Sequence, residues 1–259
     1  VIRLFLLAFK NQWLVQMKKP LEFISALFAI ILNNSFYLYG IYLLAILSQT
    51  ADSSASKEYL ISTGIVLTSW GILNVFAGGI FQLGSLIETG GIESYLSKPC
   101  SPLFLVAISK SSLVSLGEIL QGIATIMLAA YLYDWSFGIK MILTSLILTF
   151  AFAAVVIIIG SLSFYSSRGS QLSQVLLQVI LSLSLFPIEK ALKGREKWIL
   201  YATPLLMTAT LPRAAILDGH PITFAIFVAV TFIFFIGSVF LFNYSLARYK
   251  AKNYISLNE

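Results

Sequence analysis

Charge and reactive side chains are scarce in this chain. It carries one cysteine, Cys100, and one histidine, His220, which excludes an internal disulfide and a histidine-based metal cluster within one chain. No G-x-x-x-x-G-K-[ST] occurs, so the backbone cradle and the phosphate-binding lysine of a P-loop are missing. There is no G-x-S-x-G elbow, no H-E-x-x-H and no pair of carboxylates set for acid–base work. No catalytic residue and no metal ligand is nominated, and any ATP that powers the protein is hydrolysed by another chain. Charged residues make up 11% of the 259 and hydrophobic ones 58%, with a mean hydropathy of +0.90. That is too little polar surface for a soluble protein, so the bilayer is part of the solvent. A net charge of +6 would suggest nucleic acid in a soluble domain. Here the basic residues sit beside apolar stretches and at chain ends, where membrane lipids with anionic headgroups are the simpler partners and nucleic acid is not expected.

What the chain does have is long apolar stretches: residues 21–47, 59–87, 103–132, 139–164, 171–186 and 222–246. At about 1.5 Å per residue, most exceed the roughly 20 residues that cross about 30 Å of hydrocarbon. The expectation is an all-α membrane protein with six transmembrane helices in a single domain over residues 1–259. The fifth stretch is the shortest and stops at Pro187; the semi-polar region 187–220 after it reads as one or two short helices, re-entrant or interfacial, at the outer face. Residues 1–20 form a separate element. Arg3, Lys10, Asn11 and Lys18 share one side of a helical wheel and Phe9, Trp13 and Met17 another, the pattern of a helix lying in the interface.

Six spans put both termini on one side, with Arg3, Lys10, Lys18, Lys19, Lys98, Lys110, Arg168, Arg248, Lys250 and Lys252. The positive-inside rule makes that side cytoplasmic. Opposite lie Lys57, Lys140, Lys190, Lys193, Arg195, Lys197 and Arg213, and the last five weaken the bias.

The richest polar element is residues 88–102, ETGGIESYLSKPCSP, an island between two apolar stretches. Gly90 and Gly91 break the preceding helix, and Glu93 to Lys98 can form barely two turns before Pro99 and Pro102 stop them. Its order of acidic residue, Gly pair, acidic residue, Tyr-Leu, basic residue, Pro and Ser-Pro resembles the cytoplasmic loop of type-2 ABC exporter permeases. Residues 183–217, LSLFPIEKALKGREKWILYATPLLMTATLPRAAIL, and the basic end LARYKAKNYI, residues 246–255, resemble the corresponding later parts of that family. The resemblance implies an integral protein of the bacterial inner (plasma) membrane with both termini cytoplasmic. It implies a homo- or heterodimeric permease driven by separate cytoplasmic ATPase subunits, ATP and Mg being bound there and no cofactor by this chain. In the family the short helix of the loop docks on the ATPase, which nominates Glu88, Glu93, Tyr95, Lys98 and Pro99 as ATPase-coupling residues.

Three polar features lie inside the spans. Gly64, Gly71, Gly78 and Ser85 recur every seven residues, the spacing of a close left-handed helix crossing. This is either helix packing or a pathway- or dimer-facing seam. Gln171, Gln174, Gln178 and Ser182 form a stripe on the fifth stretch that must face protein or water. It either joins helices or lines the pathway, and the resemblance favours the pathway. Glu118 lies deep enough that unaided ionisation costs about 2.5–3.5 kcal/mol on insertion scales, so a partner is expected. As a buried acceptor it is structural. As a coupling carboxylate it would instead make the chain an ion- or proton-coupled secondary transporter. A non-transporting membrane scaffold is the third reading.

Overall fold

The computed structural model describes residues 2–47, 53–166, 168–185 and 203–256. Among these there are helices and turns and no strand. Helix α1, Ile2–Met17, ends in a turn at Lys18 and Lys19, and Pro20 opens α2, Pro20–Leu47, with a φ already suited to a first helical turn. Helix α3, Ser53–Ala77, tightens into a 3-10 segment, Gly78–Gln82, and resumes as α4, Leu83–Glu88. The polar loop contains α5, Glu93–Leu96, and is followed by α6, Pro102–Ser109. A second 3-10 turn, Leu113–Ser115, leads into α7, Leu116–Leu132. Helix α8, Trp135–Ser161, α9, Gly169–Leu185, a π-helical turn, Leu206–Thr210, α10, Leu211–Leu217, and α11, Pro221–Ser256, complete the described chain.

Among the described residues five segments are long and apolar enough to cross a membrane: Pro20–Gly40, Lys57–Glu88, Leu113–Leu132, Trp135–Phe164 and Pro221–Tyr249. The fifth expected stretch appears as α9, of 17 residues, below that length. The third differs more. It is not one helix over 103–132 but is broken between α6 and the 3-10 turn at Leu113. Lys110-Ser111-Ser112 forms the gap, and its polar groups bond outside their own helix. The Ser112 N–H donates to the Asn74 carbonyl at 3.0 Å. Gly78, in the interrupted part of the α3–α4 span, faces the same place, since a Cβ there would sit 3.0 Å from the Lys110 carbonyl oxygen. A Cβ on Gly79 would run into the Val106 carbonyl oxygen. Two broken helices thus meet across a pair of glycines.

The core sits between α3, α7 and α8. Ile61, Ile65, Leu73, Ile126, Met141 and Phe152 are buried together there. Close approach comes from small residues: a Cβ on Gly64 would lie 2.9 Å from the Met141 side chain, and one on Gly71 2.9 Å from the Ile119 nitrogen. Gly122 answers from α7, where a Cβ would lie 2.6 Å from the Thr68 nitrogen. Helices α3 and α8 are joined as well by the Ser69 hydroxyl, which donates to the Ser145 carbonyl at 2.8 Å. Gly64, Gly71 and Gly78 of the seven-residue repeat are buried at contacts within the chain.

Helix α1 packs through a face that includes Phe9 but is rotated from the side of Phe9, Trp13 and Met17 that its sequence suggests. Phe5 and Phe9 stack on Phe76 of α3, with ring centroids 6.3 and 5.9 Å away, while Trp13 stays 40% exposed. The reason lies one turn on. Gln12 Nε2 donates to the carbonyls of Ile108 and Ser109 at 3.3 and 2.9 Å, the Ser111 N–H donates to Gln12 Oε1, and Gln16 Nε2 donates to the Ser111 carbonyl at 3.3 Å. These amides and the Asn74 carbonyl take up polar groups at the gap that the broken helix leaves free.

Candidate functional site

The polar loop is held at three points. Gly90 turns the chain with φ +72°, and Ile92 beyond it is fully buried, in an apolar cluster with Leu83, Leu103, Val106 and Phe242. Burying an isoleucine side chain stabilises by about 1.5–3 kcal/mol, enough to fix the root of so short a loop. Glu88 turns away from the loop tip. Its Oε1 accepts from the Ser170 N–H at 2.7 Å and its Oε2 from the Ser170 hydroxyl. A carboxylate there satisfies one of the free N–H groups at the start of α9 and suits the positive end of its dipole. Glu93 Oε1 accepts from the Tyr249 hydroxyl of α11 at 3.2 Å. Lys98 Nζ stands 4.9 Å from the Tyr95 ring centroid. Glu93, Lys98 and Pro99 are exposed, and Tyr95 is half-buried.

Of the five loop residues nominated from sequence, four surround one exposed tip, and Glu88 bonds instead to the first turn of α9. That helix carries Gln171, Gln174 and Gln178, all exposed. Its other side is secured by the Ser173 hydroxyl, which donates to the Ile159 carbonyl of α8 at 2.9 Å, and by the Ser184 hydroxyl, which donates to Thr208 Oγ1 at 2.9 Å.

Farther along the glutamine stripe, Gln178 and Ser182 line a cavity of about 120 Å³ with Glu118, Asn33, Asn34 and Trp70. The cavity lies between α2, α3, α7 and α9. Among the described residues Glu118 Oε2 is buried without a partner, as is Nδ2 of Asn34, and the hydroxyl of Ser115, one turn before Glu118, donates to Ser112 Oγ at 3.2 Å. Gly71 lets α3 approach this part of α7, since a Cβ there would also lie 3.0 Å from the Ser115 carbonyl oxygen. Glu118 and Gln178, far apart in sequence, therefore share one site. A larger groove of about 740 Å³ opens between α3, α6, α8 and α11, lined by Phe76, Phe104, Phe150 and Phe235 with only Ser101 and Thr149 to offer polar groups. It suits hydrocarbon and cannot orient a polar molecule.

At the other end of the bundle, Lys57 Nζ stands 4.9 and 4.6 Å from the ring centroids of Tyr133 and Phe137. In the turn between α7 and α8, the Ser136 hydroxyl donates to Asp134 and holds that carboxyl below the usual range, assisted by backbone N–H groups and Lys140. Arg213 corrects the sequence reading. Counted there among the outer loop charges, it is 2% exposed: its Nε donates to the Ala209 carbonyl at 3.1 Å and its Nη1 to the Ser62 hydroxyl at 3.2 Å. Lys190, Lys193, Arg195 and Lys197 lie outside the described residues. Gln12, Gln16 and Ser170 escaped the sequence reading, and Arg213 entered it only as a loop charge. The one available signal was the pair of amides four residues apart in α1, Gln12 and Gln16.

The family described as ABC-2 family transporter protein matches residues 37–253. No curated protein and no solved structure matches the chain.

Proposed function

Since the chain belongs to the ABC-2 transporter family and is thereby a permease component of an ABC transporter, we propose that it forms the translocation pathway of an ATP-driven exporter, as a dimer, with separate ATPase subunits docking on the loop 88–102. The observation that carries this reading is the construction of the loop. Its tip exposes Lys98 and Pro99 together with Glu93, which also bonds to Tyr249 of α11, while its root is tied through Glu88 to Ser170 of α9. A push delivered at the tip therefore reaches two helices at once, one of them bearing the glutamine stripe. ATP and Mg belong to the partner in this scheme, and the chain contributes docking, transmission and a route.

The proposal keeps six spans, α9 acting as the short fifth, with both termini and the loop on the cytoplasmic side of the inner membrane and α1 in the interface. The burial of Arg213 supports this orientation, because a guanidinium bonded within the protein does not count among surface charges that set topology. Single cysteines at 193 and 197 in a Cys100→Ser background should react with an impermeant thiol reagent on intact cells, and one at 250 should not. The opposite pattern overturns the orientation.

The functional test is isolation of the chain from its native membrane in mild detergent. It should bring down a P-loop ATPase whose activity depends on it, and the reconstituted complex should transport only with ATP. A monodisperse chain that never carries a nucleotide-binding partner sinks the exporter reading in favour of a scaffold or secondary transporter.

A further inference from the structure

The cavity around Glu118 has a chemistry that the exporter reading does not use. A carboxylate within a span requires a partner, because lipid does not solvate it. Among the described residues Oε2 is buried and unpartnered, and none of those lining the cavity is a lysine or arginine. A carboxylate at this position therefore has no cation beside it among the described residues. Trp70 also lines the space, and an indole face attracts cations more strongly than the other aromatic rings do. Asn34 adds an unpartnered Nδ2, a donor that calls for an oxygen near the cation. At about 120 Å³ the cavity is slightly smaller than the 150 Å³ apolar cavity that takes benzene, the scale of a six- or seven-atom group. Carboxylate, aromatic ring, amide donor and size converge on one class of ligand.

We infer that this cavity binds a small organic ammonium group carrying a neighbouring oxygen, its charge against Glu118 and Trp70 and its oxygen toward Asn34. Gln178, exposed at the cavity wall and continuous with Gln171 and Gln174, marks the side from which the ligand enters. The inference rests on the permease reading for its purpose, since a cationic head held midway along a transport route is a substrate subsite. It does not rest on that reading for its chemistry.

The test uses the full chain in nanodiscs of phosphatidylglycerol, a lipid without an ammonium group, with choline as the probe and 3,3-dimethylbutan-1-ol as its uncharged isostere. Calorimetry or equilibrium dialysis should show choline binding. Glu118→Gln should weaken it by about tenfold or more, the scale of removing one member of a buried charge pair. The isostere should bind far more weakly and be indifferent to that substitution. Asn34→Leu, which leaves the carboxylate in place, should weaken choline several-fold and serves as the second variant if Glu118→Gln does not give a monodisperse protein. Adding phosphatidylethanolamine to the discs assigns the source: displacement of choline identifies a lipid headgroup as the natural occupant, and unchanged binding identifies a soluble cation. Absence of choline binding to monodisperse protein, equal binding by the isostere, or unchanged affinity in both variants overturns the inference. No ATPase is needed, so that failure leaves the exporter reading standing, whereas loss of ATPase association with choline binding intact overturns the exporter reading alone.

Discussion

The two faces of α3 are built on opposite plans. Toward α7, Gly64, Thr68 and Gly71 meet Ile126, Gly122 and Ile119 with no room for one more carbon. Toward α2 and α9, Thr63, Leu67 and Trp70 border a cavity with unpartnered polar atoms. One helix therefore belongs to a tight frame and to a loosely filled polar space. Close packing transmits displacement without yielding, whereas a polar space between helices can change its contents and its walls. The comparison assigns α3, α7 and α8 to the frame and α9 to the adjustable wall, with the loop 88–102 touching the wall at Glu88.

The largest effect is expected on the frame. Gly71→Leu puts a side chain into the backbone of Ser115 and Ile119, which cannot shift as a flexible side chain would. Overpacking costs about 1–3 kcal/mol even where neighbours are side chains, so folded protein in the membrane should fall to a small fraction of wild type by fluorescence-detected size exclusion. A normal yield and melting temperature would mean that the α3–α7 contact is not tight. Next comes the tip of the loop. Glu93→Ala with Lys98→Ala should leave insertion intact and reduce ATP-dependent transport close to background, because both project where the ATPase is proposed to dock. Normal transport by an assembled double variant would remove the loop from the coupling route.

A smaller loss, several-fold in transport with abundance nearly unchanged, is expected for Glu88→Ala, which frees the first turn of α9 from the loop. Glu88→Gln keeps the Ser170 contacts in weaker form and should fall between. If both variants match wild type, the wall is not driven through this bond. The mildest expected change belongs to the wall itself. Gln174→Leu and Gln178→Leu keep similar bulk, so transport should fall by more than protein abundance; equal losses would class the stripe with the frame as a helix-joining feature.

The frame was the more legible half of the comparison. A seven-residue recurrence of glycine is visible in any apolar helix, and its partner Gly122 needs only the neighbouring helix to be guessed. The polar island was legible too, because Gly90, Pro99 and Pro102 punctuate it locally. What sequence concealed depends on distant pairings. Lys110-Ser111-Ser112 looks like a tolerable polar interruption until Gln12, 99 residues from Ser111, completes its hydrogen bonds. Arg213 looks like a loop charge until Ser62, 151 residues away, is placed beside it. Helical periodicity carries no information about such partners, and polar residues in apolar company can be read as surface, site or internal bond with equal ease.

The amides of Gln12 and Gln16 act as a splint across a fracture. Helix α1 lies before residue 37, where the match to the ABC-2 family begins, yet the gap it braces lies well inside the matched segment. Trimming the chain to the matched residues would remove the brace and leave the carbonyls of Ile108, Ser109 and Ser111 to compete for water or lipid headgroups. The ordered geometry of the break, and with it the footing of the loop 88–102, therefore depends on α1.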